Sequence, residues 1–197
     1  MYFDRVHGFV PILQQSRYYR RSKQMSPPAS HLCLQYAAWT VAATLSSHFN
    51  GLSHILYCST LDRMTRLEYG PESSVSLSSS HTEAIQGEAE ASYLDRAQAW
   101  VLIALYESMQ NTFQCAWKSA GRAIRLVQLM RLDRLDLPQA KASNSGIEPT
   151  DSAMISYLEE KRRTFWSAFC LDSFSCILGG LPLTLNHDLV RGHIFWR

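Results

Sequence analysis

No two cysteines in this 197-residue chain stand at CxxC spacing; Cys33, Cys58, Cys115, Cys170 and Cys176 are scattered, and the nearest two are six apart. The wide spacing and the odd count argue against a disulfide framework. The cysteines are expected to be small core residues in a reducing compartment. Charge is sparse as well: 18% of residues are charged and the net charge is +2. Dedicated nucleic-acid binders carry a clear basic excess, so no DNA-binding residue is assigned and no direct nucleic-acid contact is expected. The longest apolar run, Ala99 to Tyr106, is eight residues, against about 20 for a membrane-spanning helix. The opening MYFDRVHGFVPIL has no basic segment followed by a long apolar one, so no secretory signal is read. The chain is expected to be soluble and intracellular.

Catalytic patterns are missing too. There is no GxSxG elbow and no GxGxxG, and Gly179-Gly180 is followed by Leu-Pro where a phosphate loop needs Lys-Ser or Lys-Thr. That double glycine reads as a helix C-cap. His7, His31, His48, His54, His81, His187 and His193 include no HxxxH pair, so they are read as surface or loop histidines. His187-Asp188 is adjacent in sequence, and such neighbours rarely form a working acid–base unit. Catalytic, cofactor-binding and metal residues are therefore assigned as none, no cofactor is expected, and the chain is read as a non-enzyme.

What is present is helical periodicity in a chain with 46% apolar residues, enough for a sizeable core. No alternating strand pattern occurs. Leu34, Ala37, Ala38, Val41, Ala42 and Leu45 share one face of a helix over 31–48, with Ser30 placed to cap it. A second helix is expected from Gly51 to Tyr69, with Leu52, Ile55, Leu56, Arg63 and Leu67 near one face and Gly70-Pro71 as its stop. From Tyr93 to Gln110 the sequence is apolar on all sides around Ala99–Tyr106, which predicts a central, buried helix. Ala116 to Leu132 is amphipathic, with Ala116, Ala120, Ala123, Ile124, Val127 and Met130 on one face. Gly121 lies in its middle at a cost of about 1 kcal/mol relative to alanine, and is read as permitting close approach of a neighbouring helix. The last helix runs from about Asp151 to Leu178. Its Glu159 has ion-pair spacing to Arg162 and Arg163, and Glu160 has it to Arg163.

The fold class expected is all-α, an irregular multi-helix array with two long loops. Residues 1–30, with Pro11, Pro27 and Pro28, are expected to be irregular. Residues 31–182 form the helical domain, and 183–197 are a tail. The loops fall at about 71–88 and 133–151; the first holds six serines between Ser73 and Ser80, too few apolar groups to offset chain ordering. Arg17-Tyr-Tyr-Arg20-Arg21-Ser-Lys23 is either a phosphate-contacting or nuclear-import patch or a solvated helix end over packed tyrosines. Tyr93, Trp100, Tyr106, Trp117, Phe165, Trp166 and Phe169 either line a ligand space or form core.

Four stretches carry a resemblance. They are Tyr2–Leu13 (YFDRVHGFVPIL), Arg96–Glu107 (RAQAWVLIALYE), Ala116–Leu132 (AWKSAGRAIRLVQLMRL) and Glu159–Asp172 (EEKRRTFWSAFCLD). In this order and spacing they resemble the fungal-specific transcription factor domain, the middle homology region of fungal zinc-cluster regulators, also called the xylanolytic-activator-type regulatory domain. The sequence departs from the family at Gly8, which replaces a proline. It departs again at Ser173 and at Gly179-Gly180-Leu181-Pro182, where a Gly-Arg-Pro phrase is usual.

The resemblance implies a regulatory domain that modulates DNA-templated transcription in the nucleus. Zinc belongs to the family's six-cysteine DNA reader, which this sequence does not contain, so the chain is expected to be a truncated piece without DNA-binding capacity. The partners implied are proteins of the transcription machinery or a full-length relative and a small-molecule inducer, with no membrane; a homo-oligomer is expected because helices lost at the C-terminal end would leave an apolar face uncovered. The alternative is a stand-alone helical interaction or ligand-sensing module.

Overall fold

The structure, a computed structural model, describes residues 1–69, 83–135 and 152–185, without the side chains of 83–86. Its elements are α1 (Tyr2–Arg5), α2 (Gln15–Ser22), α3 (Ala29–Thr44), α4 (Asn50–Tyr69), α5 (Glu83–Met109), α6 (Phe113–Leu129), a 3₁₀ turn (Leu132–Arg134) and α7 (Ser152–Gly179). Among the described residues there is no strand, in agreement with the expected all-α class. The Gly70-Pro71 stop, the serine run, Asp151, most of the second loop and the tail beyond Leu185 lie outside the described residues.

Helix α5 is the axis of the array. It packs against α3, α6 and α7, while α4 lies on α3 and α6 lies on α7. Every residue from Ala97 to Ala104 is buried, as expected for a helix without a polar face. Its first turns occupy 83–88, which the composition assigns to the loop. α3 presents small residues: Cys33, Ala37, Ala38, Val41 and Ala42 are all buried, so its neighbours approach closely. α4 packs on α3 and buries Ser53, Thr60 and Met64. Leu52 and Ile55 are exposed, so the buried stripe is rotated from the expected face. The small surface of α3 accepts serine and threonine where leucines were expected. Ser30 caps nothing; it lies buried inside α3, which starts after Pro28 without a side-chain cap.

The N-terminal segment is not irregular. It holds two short helices, and it buries Tyr2, Val6, Ile12 and Leu13 in the main core. The Tyr2 hydroxyl donates to the Val10 carbonyl at 2.6 Å, folding the segment back on itself around Pro11.

α6 buries Ala116, Ala120, Ala123, Ile124 and Val127 and exposes Lys118, Arg122 and Arg125. It ends at Leu129, before the expected Leu132, because Arg131 takes a left-handed conformation (φ 53°). A Cβ added at Gly121 would meet Thr184 Oγ1 at 3.8 Å. That is ordinary contact with the chain after α7, not a helix crossing that excludes a side chain.

α7 ends as its double glycine predicts. Gly180 has φ +63°, and the Leu181 amide donates to the Cys176 carbonyl at 3.1 Å, the six-to-one bond of a Schellman motif. Beyond it, Asp172 gathers the chain. One carboxylate oxygen accepts from the Thr184 amide at 2.8 Å and the Leu185 amide at 3.3 Å. The other accepts from the Thr184 hydroxyl at 2.9 Å. The residues that depart from the family phrase thus leave an ordered exit, with Leu185 buried against the core.

Candidate functional site

Four helices place charged and amide side chains around one buried point. Arg17, on α2, is buried. Its Nε donates to Glu160 Oε2 at 2.7 Å, and its Nη2 donates to Glu160 Oε1 and to Asp95 Oδ1, each at 3.1 Å. Arg21, one turn later, reaches Asp95 Oδ2 at 2.8 Å. Asp95 comes from α5 and Glu160 from α7, so α2 is tied to two core helices by ion pairs. Gln98, three residues after Asp95, donates from Nε2 to Glu160 Oε1, Thr164 Oγ1 and the Ile12 carbonyl at 3.0–3.2 Å. The Gln14 amide adds a bond to Glu160 Oε1 at 3.2 Å. His31, on α3, lies 3.7 Å from Asp95 through Nδ1, with its other nitrogen 3.1 Å from Ser22 Oγ.

Burial works against the charge of Arg17, but Glu160 and Asp95 outweigh it and raise its pKa. Breaking such a pair would leave an uncompensated charge in the interior. The Arg17 guanidinium also lies 5.6 Å from the centre of the Tyr157 ring, and the Lys161 ammonium lies 4.4 Å from the same ring. Burial pushes the Tyr157 phenol up to about 12.

Two grooves open from this network. One of about 200 Å³ runs past His7, Leu13, Glu159 and Arg163; burial there, and the charge of Arg163, lower the His7 pKa. The other, about 400 Å³, lies between α2, the start of α5 and the start of α7, and is lined by Arg17, Arg20, Arg21, Glu90 and Tyr157 among others. Another buried carboxylate sits apart from this network, where α4, α5 and α6 meet. Glu107 Oε1 accepts from the Tyr57 hydroxyl at 2.7 Å, while its Oε2 is buried without a partner. Burial raises the Glu107 pKa against the lowering effect of Tyr57, Ser119 and Arg122.

The basic patch on α2 divides between two environments. Arg17 and Arg21 are structural cations held by α5 and α7, while Arg20 and Lys23 face solvent. Glu159 pairs with Arg162 and Arg163 at 2.6 and 2.9 Å, as its spacing predicts. Glu160 does not pair with Arg163; it turns inward to Arg17. His31 is buried inside a helix, not on the surface. Only Cys33 and Cys176 are buried, and Cys58, Cys115 and Cys170 are exposed. The seven aromatics do not converge on either groove. Trp100, Tyr106 and Phe165 are core, and Trp117 donates from Nε1 to the Pro182 carbonyl at 3.0 Å. Sequence reasoning missed Asp95 and Gln98. The available signal was two polar residues at i, i+3, hence on one face, at the entry of an otherwise apolar helix.

The network fastens helices; the Ser22 hydroxyl beside His31 gives its proton to the Tyr18 carbonyl at 2.8 Å. Among the described residues, no group of three or more His, Cys, Asp or Glu is placed to hold a metal ion. No helix among them is long and apolar enough to cross a membrane.

The family described as the fungal specific transcription factor domain matches residues 1–193. Among similar proteins, the pigment biosynthesis transcriptional activator pigB of Monascus ruber is 40% identical over 190 residues, which are 96% of this chain and 31% of that protein. The citrinin biosynthesis transcriptional activator ctnR of Monascus purpureus is 40% identical over 190 residues, 96% of this chain and 29% of that protein. Transcription factor tazR of Aspergillus terreus is 37% identical over 191 residues, 96% of this chain and 27% of that protein. The chain thus spans about a third or less of the length of these relatives. No solved structure matches it. With the motif-bearing helices in place and the match running over nearly every residue, the chain belongs to the fungal specific transcription factor domain family.

Proposed function

We propose that this chain is a regulatory domain that modulates transcription of a fungal biosynthetic gene cluster, acting in the nucleus through contacts with other proteins and without catalysis. The observation that carries this reading is the match over residues 1–193, together with relatives named as activators of pigment and citrinin biosynthesis. In this reading residues 1–185 act as one unit, because α2 is fastened to α5 and α7 by Arg17 and Arg21. Its partners are components of the transcription machinery or full-length relatives. The test joins the chain to an unrelated DNA-binding module in a fungal host carrying a reporter with sites for that module. Reporter output is expected to differ from the module alone, and a fluorescently tagged chain is expected to accumulate in the nucleus. Unchanged output together with cytosolic fluorescence would sink the reading.

A further inference from the structure

The groove of about 400 Å³ between α2, α5 and α7 falls in the range of about 300–1,000 Å³ typical of small-molecule sites. Its lining is part polar and part apolar: Arg17, Arg20 and Arg21 come from α2, Gln24 from the chain just after it, Glu90 from α5 and Tyr157 from α7. The charges around it are unequally matched. Asp95 and Glu160 are engaged by Arg17 and Arg21, and Glu90 is engaged by Lys161. Arg20 has no ion pair or hydrogen bond among the described residues, and it is exposed at the groove. Among the described residues on and behind this lining, Arg17, Arg21 and Lys161 are matched by Asp95, Glu160 and Glu90, which leaves the Arg20 guanidinium without a carboxylate. Behind it, Arg21 keeps a buried Nε without an acceptor.

We propose that this groove binds a small organic monocarboxylate, with its carboxylate on Arg20 and its body against the Tyr157 wall. A guanidinium offers two parallel N–H groups that match the two carboxylate oxygens. A single negative charge fits the surplus. A dianion would bring a second charge toward Glu90, Asp95 and Glu160. A bound carboxylate would join α2 to α7 beside the Arg17–Glu160 pair and reinforce the seat of the N-terminal segment. The inference concerns binding alone and stands apart from the transcriptional reading.

The test uses the whole chain and three probes: benzoate, its uncharged analogue benzamide, and inorganic phosphate. Binding is followed by arginine side-chain and backbone NMR shifts over residues 14–24. Benzoate is expected to give saturable shifts at Arg20, Arg21 and Gln24, and benzamide none. Arg20→Gln, which removes one charge-assisted contact, is expected to weaken benzoate about tenfold. Lys23→Gln removes the same charge from the C-cap of the same helix, outside the groove, and is expected to change nothing. Both residues are exposed, and unchanged melting temperatures would show that the variants fold. Equal shifts from benzoate and benzamide would overturn the proposal, as would an Arg20→Gln variant that binds like the parent. Tighter binding of phosphate than of benzoate would overturn the monocarboxylate assignment.

Discussion

Arg17 brings a full positive charge into the interior, and two carboxylates from different helices receive it there. Removing one partner of a buried pair typically costs about 3–5 kcal/mol, since the other charge is stranded. Glu160→Gln is therefore expected to lower unfolding free energy by about 3 kcal/mol in urea denaturation, whereas Glu159→Gln, which touches only half-exposed arginines, should change it by less than about 1 kcal/mol. Glu107 tests the opposite case, a buried carboxylate without a cation in direct contact. Burial raises its pKa above the unfolded value. Its stabilising contribution is thus complete below the unfolded pKa of about 4.3 and is lost as pH rises through the folded value. The melting temperature of the parent minus that of Glu107→Gln is expected to fall between pH 4 and pH 8. A difference that stays flat, or rises, would show that the carboxylate is not destabilised in the fold.

At the scale of the element, helices α6 and α7 depend on the chain around residues 181–185. Gly121 sits mid-helix, where a Cβ would make only ordinary contact with Thr184 Oγ1 at 3.8 Å. Gly121→Ala is expected to stabilise the protein by about 0.5–1 kcal/mol through helix propensity, read from thermal or urea unfolding. A loss of stability would mean that the Thr184 approach is tighter than this geometry. Asp172 shows the reverse dependence, a helix residue that organises the chain beyond its own helix. Asp172→Ala removes an acceptor of three bonds to Thr184 and Leu185. Amide exchange at both residues should accelerate at least tenfold, because charge-assisted bonds are each worth about 1.5–3 kcal/mol. Helix ends also show where periodicity runs out. The α4 stripe is rotated because α3 presents alanines and Cys33, and amphipathic counting cannot see the shape of the opposing surface. α6 stops early because Arg131 adopts a left-handed turn, which no preference of arginine announces.

At the scale of the whole molecule, the N-terminal segment is part of the domain. It supplies Tyr2, Val6, Ile12 and Leu13 to the core, and Arg17 and Arg21 to Asp95 and Glu160. Deleting residues 1–24 would open the core and leave both carboxylates without these cations. The shortened chain is expected to lose cooperative unfolding and to be digested rapidly by trypsin under conditions that spare the parent. A truncated chain that melts as sharply as the parent would show the segment to be an appendage. Elsewhere on the molecule, Phe174, Ile177 and Leu178 are exposed at the end of α7 among the described residues, apolar surface of the kind that favours association.

The sequence by itself determined the helical class, the central position of α5, the buried stripe of α6, the Glu159 ion pairs and the glycine stop of α7. Each follows from spacing along one helix or from one residue's backbone freedom, and both are local properties. It also carried the family, through four motifs in order. Only the tertiary structure decided which charges are structural. Arg17 and Glu160 lie in runs of charged residues that look solvated, and they are separated by most of the chain. Their pairing depends on α2 folding back across α5 and α7. The same holds for Asp172, whose partners lie beyond the end of its helix, and for the groove, where Arg20 has no ion pair among the described residues because its neighbours' charges are matched across helices. Long-range electrostatic matching needs relative positions in space, and those are fixed by packing.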